Sequence, residues 1–101
     1  MKLGIVITEN RLTAPALALM GMAADRGIEL RCFLSDSGVE AMHDPQLQKL
    51  VAERCTTLAV CEHSMERYGI HVPKPIDTQV VVGGQYQDAE LVRWSDRVAV
   101  F

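Results

Sequence analysis

Residues 3–34 read L-G-I-V-I-T-E-N-R-L-T-A-P-A-L-A-L-M-G-M-A-A-D-R-G-I-E-L-R-C-F-L. The first six form a continuous apolar run rich in β-branched residues, the pattern of a strand buried on both faces, as in a parallel sheet. Thr13 offers a cap for the helix that follows, and Pro15 is tolerated in its first turn. That helix is predicted over Ala14–Arg26, with Gly27 as its stop. Ile28–Leu34 alternates in part and reads as a second strand. A strand, a helix and a second strand within so few residues set the pattern for the rest of the chain.

Outward from this unit the alternation continues. Ser35-Asp36-Ser37-Gly38 is turn chemistry. Asp44-Pro45 starts a second helix, a cap residue followed by proline at the first helical position, with Leu47, Leu50 and Val51 at helical spacing and an end near Cys55. A third strand is predicted over Thr56–Val60, then a short helix over Glu62–Tyr68 stopped by Gly69. Pro73 and Pro75 mark an extended excursion. Gln79–Val82 reads as a fourth strand closed by Gly83-Gly84. Ala89–Trp94 reads as a helix capped by Asp88, and Arg97–Phe101 as a closing strand. The expected fold is therefore α/β, a three-layer α/β/α sandwich around a mostly parallel sheet of about five strands. One domain covers residues 1–101, as the length of 101 residues implies.

Composition narrows the class. Hydrophobic residues are 49% of the chain and aromatic residues only 5%, so the core is aliphatic and the chain is not disordered. The formal charge is −3 and no two basic residues are adjacent, which speaks against direct contact with nucleic acid. The longest apolar-rich uncharged stretch, Leu12–Ala24, has 13 residues, short of the ~20 that a membrane span needs. It follows a polar segment and a strand, unlike a signal peptide, and three cysteines fit a reducing compartment; the expected location is the cytoplasm. The first helix is apolar all round (Ala14, Ala16, Leu17, Ala18, Leu19, Met20, Met22, Ala23, Ala24), which predicts a second subunit over its outer side.

The three cysteines differ by position. Cys32 lies within a buried strand and reads as an inert packing residue. Cys55, at the end of the second helix, reads as structural. Cys61 falls at the carboxyl end of the third strand, where open α/β sheets collect ligands and reactive groups. It also begins a helix, whose free N–H groups favour a thiolate. His63 is placed to supply a proton or a positive charge, whereas Glu62 and Glu66 oppose a thiolate. Cys55 and Cys61 sit at opposite ends of the third strand, roughly 17–20 Å apart. That is beyond the ~7 Å a disulfide allows, and no C-x-x-C is present, so Cys61 is expected to work alone.

The stretch Cys61–Ile70, C-E-H-S-M-E-R-Y-G-I, resembles the DsrE/DsrF-like family of small sulfur-relay and sulfur-oxidation proteins. Residues 23–39, A-A-D-R-G-I-E-L-R-C-F-L-S-D-S-G-V, and the ending S-D-R-V-A-V-F look like the family's second strand and final strand. The resemblance implies a sulfurtransferase subunit in which Cys61 accepts a sulfane sulfur as a persulfide and passes it on, with sulfur-donor and sulfur-acceptor proteins as partners. It also implies a homo-oligomer, trimer or hexamer, or a hetero-oligomer with sister subunits. The chain departs from the family in the polar Glu62 and His63 after the cysteine, and in a compact region between Ser35 and Leu58. A non-catalytic oligomeric subunit, or a small-ligand binding module of the same fold, is the alternative.

Around Cys61, the candidate site residues are His63, and then Glu9, Asn10, Glu62, Ser64 and Arg67 as pocket or helix-start residues. Glu9 and Asn10 follow the first strand and so share its carboxyl edge with Cys61. No cofactor and no metal is expected: C-x-H with three scattered histidines matches no zinc pattern. Gly83-Gly84 reads as a turn, since neither G-x-x-x-x-G-K-[ST] nor G-x-G-x-x-G is present. Trp94 reads as a packing residue.

Overall fold

A computed structural model describes residues 1–54 and 57–101. Cys55, assigned above to a structural role, lies outside the described residues, as does the predicted first residue of the third strand, Thr56. Five strands, β1 (Lys2–Ile7), β2 (Glu29–Leu34), β3 (Thr57–Cys61), β4 (Val80–Gly83) and β5 (Arg97–Val100), form one sheet in the order β4-β3-β2-β1-β5. Every pairing is parallel. Four helices connect them: α1 (Thr13–Asp25), α2 (Pro45–Glu53), α3 (Glu62–Tyr68) and α4 (Gln85–Trp94). The architecture is the α/β sandwich expected from the alternation of strands and helices.

Chain order and strand order together decide which helix lies where. From β1 to β4 the chain steps across the sheet in one direction, so right-handed crossovers put α1, α2 and α3 on the same face. The return from β4 to β5 runs the other way and puts α4 on the opposite face. The packing matches. Ile5, Ile7, Leu30, Cys32, Leu34, Leu58 and Val60 face the first side and bury against Leu17 and Met20 of α1 and Leu47 and Leu50 of α2. The alternate positions Val6, Phe33, Ala59 and Cys61 face the other side and pack with Leu91 of α4. Burying one such aliphatic side chain contributes about 1.5–3 kcal/mol, so the first face supplies most of the stability. On the second face, Gly4 lets α4 approach: a Cβ there would collide with Ser95 Oγ and Leu91 Cδ2.

Four local details differ from expectation, each for a physical reason. Thr13 lies inside α1 rather than capping it; its hydroxyl donates to Asn10 Oδ1 (3.4 Å), and a 3-10 turn over Asn10–Leu12 leads into the helix. The turn after β2 continues as a 3-10 stretch, Asp36–His43, because Val39 and Met42, three residues apart, both bury. The Pro73–Pro75 excursion closes into a 3-10 turn, Lys74–Ile76, anchored by the fully buried Ile76. Finally, α4 begins at Gln85, not Ala89. Gln87 in the first turn reaches back and its Oε1 accepts from the Gly84 N–H (2.8 Å), so the helix forms ahead of Asp88. The expected stops at Gly27 and Gly69 hold, both in the left-handed conformation (φ 73° and 64°). Asp44 caps α2 as expected, accepting from the Gln46 N–H at 2.8 Å. Among the described residues no helix is long and apolar enough to cross a membrane.

Candidate functional site

The carboxyl edge of the sheet gathers most of the chemistry-bearing residues. Three connections leave this edge side by side and are tied together by hydrogen bonds. The Asn10 N–H, after β1, donates to Ser37 Oγ (2.9 Å), after β2. The Asp36 N–H donates to Ser64 Oγ (2.8 Å), in the first turn of α3. Asp36 stands at φ 49°, in the left-handed region that an aspartate tolerates and most side chains avoid. Ser64 is buried and holds that conformation from below. Arg67 places its guanidinium 3.8 Å from the Asp36 carboxylate, and Glu9 pairs with Arg11 at 3.2 Å. Both pairs are exposed, so each is worth at most about 1 kcal/mol and trims the rim rather than builds it.

Cys61 ends β3 and is the residue from which α3 starts. Its side chain is turned to the α4 face and is 8% exposed, against Val6, Phe33, Ala59 and Leu91. Its register partner on the neighbouring strand is Gly83, the last residue of β4. From these two adjacent ends the chain departs to opposite faces, α3 to one and α4 to the other. The strand order itself reverses between β1 and β5, so the switch point at which α/β folds open a crevice lies two strands along the same carboxyl edge from Cys61. Gly83, at the end of β4, leaves room for the Gln87 carboxamide, which caps Gly84; a Cβ at residue 83 would displace that side chain.

The structure thus groups the sequence candidates in two sets. Cys61, with Gly83, Gly84 and Gln87, stands at the adjacent ends of β3 and β4, from which the chain leaves for opposite faces. Asn10, Ser64 and Arg67 belong to the hydrogen-bonded rim that runs from β1 through the loop after β2 to α3. Glu9 lies on the same rim. Since β1 and β3 are separated by β2, Glu9 and Asn10 are about 10 Å along the edge from Cys61. Glu62 and His63 are exposed while the thiol is buried, so Cys61 and His63 do not share surroundings. Gly83 and Gln87 were not among the sequence candidates. Their place follows from strand order, which no single-sequence pattern carries.

Below Cys61 on the same face, a half-open groove of about 220 Å³ runs between α4 and the sheet, with Phe33, Ala59, Val81, Gln87, Glu90 and Leu91 among its walls. Cys32 faces the other side and is fully packed, as a structural thiol should be. Among the described residues no group of three histidine, cysteine or carboxylate side chains is gathered to hold a metal ion.

Fold and site together define an all-parallel five-stranded α/β protein with a thiol at the carboxyl end of β3. No protein-family model matches the chain, and no curated protein matches it. The fold is similar to the solved structure of BT1422, a conserved protein of unknown function from Bacteroides thetaiotaomicron. The two share 19% identity, with 99% of this chain and 94% of that one covered at a TM-score of 0.69. At that identity the likeness concerns the fold alone.

Proposed function

We propose that the chain is a sulfur-relay subunit of the DsrE/DsrF-like kind, in which Cys61 carries a sulfane sulfur between two proteins. The observation that carries the reading is the position of Cys61, at the end of β3 beside Gly83, where the helices part. The sequence resemblance around Cys61–Ile70 supplies the chemistry. In the accepting step, the Cys61 thiolate attacks the outer sulfur of a donor persulfide. A new S–S bond forms on Cys61, the donor's S–S bond breaks, and the donor leaves as its thiolate. In the delivering step, an acceptor thiolate attacks the terminal sulfur on Cys61 and Cys61 leaves as its thiolate. No external oxidant or reductant enters either exchange. The thiol is buried, and the added sulfur, which stands about 2 Å beyond Sγ, is met by a partner at the sheet edge where β3 ends.

The work falls on few residues. Cys61 holds the sulfur. Ser64 fixes the first turn of α3 through the Asp36 N–H, and so fixes the backbone from which Cys61 projects. Gly83 leaves the space beside the register position of Cys61 to Gln87. Homo-oligomeric assembly and a cytoplasmic setting belong to the same proposal. The test is mass spectrometry of the intact chain after exposure to glutathione persulfide: one added sulfur on the wild type and none on Cys61→Ser.

The second reading is a small-ligand binding module of the same fold. It is favoured by the groove beneath α4, whose walls are largely apolar. A thermal-shift screen separates the two, because a ligand that occupies the groove raises the melting temperature of Cys61→Ser as much as that of the wild type.

A further inference from the structure

A second groove lies on the α1 face of the sheet, at the opposite end of the strands from Cys61. It has a volume of about 300 Å³ and runs between the last two turns of α1 and the amino ends of β1, β2 and β5. The half-buried Leu3, Leu19 and Ile28 and the buried Ala23 make its floor, and the exposed Met22 stands at one side. Two arginines, Arg26 and Arg97, complete its walls, and no carboxylate lines it among the described residues. One N–H of Arg26 donates to the Met22 carbonyl (3.3 Å), and one of Arg97 to the Asp96 carbonyl (3.0 Å). A guanidinium has five N–H donors, so most of them stay available at this groove. Neither arginine has a carboxylate partner among the described residues.

The acids nearest in sequence are engaged elsewhere. Asp25 pairs with Arg54 at 2.7 Å, and the Asp96 carboxylate accepts from the Lys2 N–H at 2.8 Å. Glu29, the register partner of Lys2, alternates with the core residue Leu30 and so belongs to the α4 face. An apolar trough with two open guanidiniums is therefore a local positive pole on a chain of net charge −3. That pairing selects an amphipathic anion. Apolar walls with a few polar groups that fix orientation are the pattern of a small-molecule site, and this volume is near the lower bound of roughly 300 Å³ for such sites. The guanidinium fork matches a carboxylate in geometry and charge. The floor is aliphatic and Met22 is flexible, which suits an alkyl chain better than a flat ring. An anionic membrane surface is a poor match, since two cations contribute only about 1 kcal/mol each against the net negative charge of the chain.

We infer that this groove binds a small alkyl carboxylic acid, its chain lying over Leu3, Leu19 and Ile28 and its carboxylate held by Arg26 and Arg97. The site is independent of sulfur transfer, because it stands on the other face and at the other edge of the sheet from Cys61. It is tested by titrating the full, isotope-labelled chain with octanoate and following the backbone amide resonances. Octanoate is expected to bind saturably at one site per chain, with shifts centred on Leu19–Ile28, Leu3 and Arg97. Octanol, which has the same chain without the charge, is expected to bind about tenfold more weakly. The double variant Arg26→Gln with Arg97→Gln, both at exposed positions, is expected to lose about the same factor with an unchanged circular dichroism spectrum. Cys61→Ser is expected to bind octanoate as the wild type does, so failure of this site and failure of sulfur transfer are read separately. Absence of saturable binding, octanol binding as tightly as octanoate, or an arginine variant of wild-type affinity each overturns the inference. So do shifts centred on Phe33, Ala59 and Val81 of the other groove. Groove resonances that move on dilution of the protein alone, the mark of a second copy seated there, overturn it as well.

Discussion

Cys61 and Gly83 are register partners at the carboxyl ends of two adjacent parallel strands, and the helices that follow them leave for opposite faces of the sheet. The pair therefore marks a position defined by topology, and its surroundings are set by what Gly83 lacks. The Gln87 side chain fills the space where a Cβ at residue 83 would stand, and it closes the first turn of α4 by accepting from Gly84.

Gly83→Val should accordingly unseat Gln87 and loosen the start of α4. Loss of the cap costs about 1 kcal/mol, and the added bulk little more, since it meets only the mobile end of the half-buried Gln87. Urea denaturation checks this, with a lowered midpoint expected at an unchanged slope. Gln87→Ala alone should show the smaller, cap-sized loss.

The link between Ser64 and Asp36 makes a second prediction. Ser64→Ala removes the buried acceptor for the Asp36 N–H, at a cost of about 1–2 kcal/mol. Asp36→Gly should be neutral to slightly stabilising, since φ 49° is free to glycine. Asp36→Val should cost more than 1 kcal/mol for the same reason. A thermal unfolding series over these three variants tests the ranking.

Two glycines demand opposite outcomes. Gly21 sits within α1 with nothing within 4 Å of a built Cβ, so Gly21→Ala should stabilise the protein by about 0.5–1 kcal/mol through helix propensity and a restricted unfolded chain. Gly4 lies under α4, where Gly4→Val meets Leu91 and Ser95, and should destabilise by about 1–3 kcal/mol. Calorimetry that moves both melting temperatures in the same direction contradicts the assigned packing.

Much of this fold is legible in residues 3–34 and in the spacing that follows. Runs such as Ile5–Ile7 and Leu58–Val60 announce strands buried on both faces, and Asp44-Pro45, Gly27 and Gly69 mark helix ends by local chemistry. The place of Cys61 at a strand end is equally local: the helix after it stands as read, and the strand, read as ending at Val60, takes in Cys61 as its last residue. What stays hidden depends on tertiary burial or on strand order. Ile76 turns a proline-rich excursion into an anchored 3-10 turn because it is fully buried. Gln87 starts α4 early by reaching back to Gly84. The apolar surplus stands out in the sequence on α1, yet the larger exposed side chains lie on the α4 face. That follows from the reversal between β4 and β5, which places one helix where three stand on the other side.

The central claim rests on one thiol, and its most direct test is the intact mass after exposure to a persulfide donor, with Cys32→Ser and Cys61→Ser beside the wild type. The account predicts one added sulfur on the wild type and on Cys32→Ser, none on Cys61→Ser, and loss of that sulfur to an added acceptor thiol. A wild type that takes up no sulfur, or a Cys61→Ser chain that takes up as much as the wild type, contradicts it.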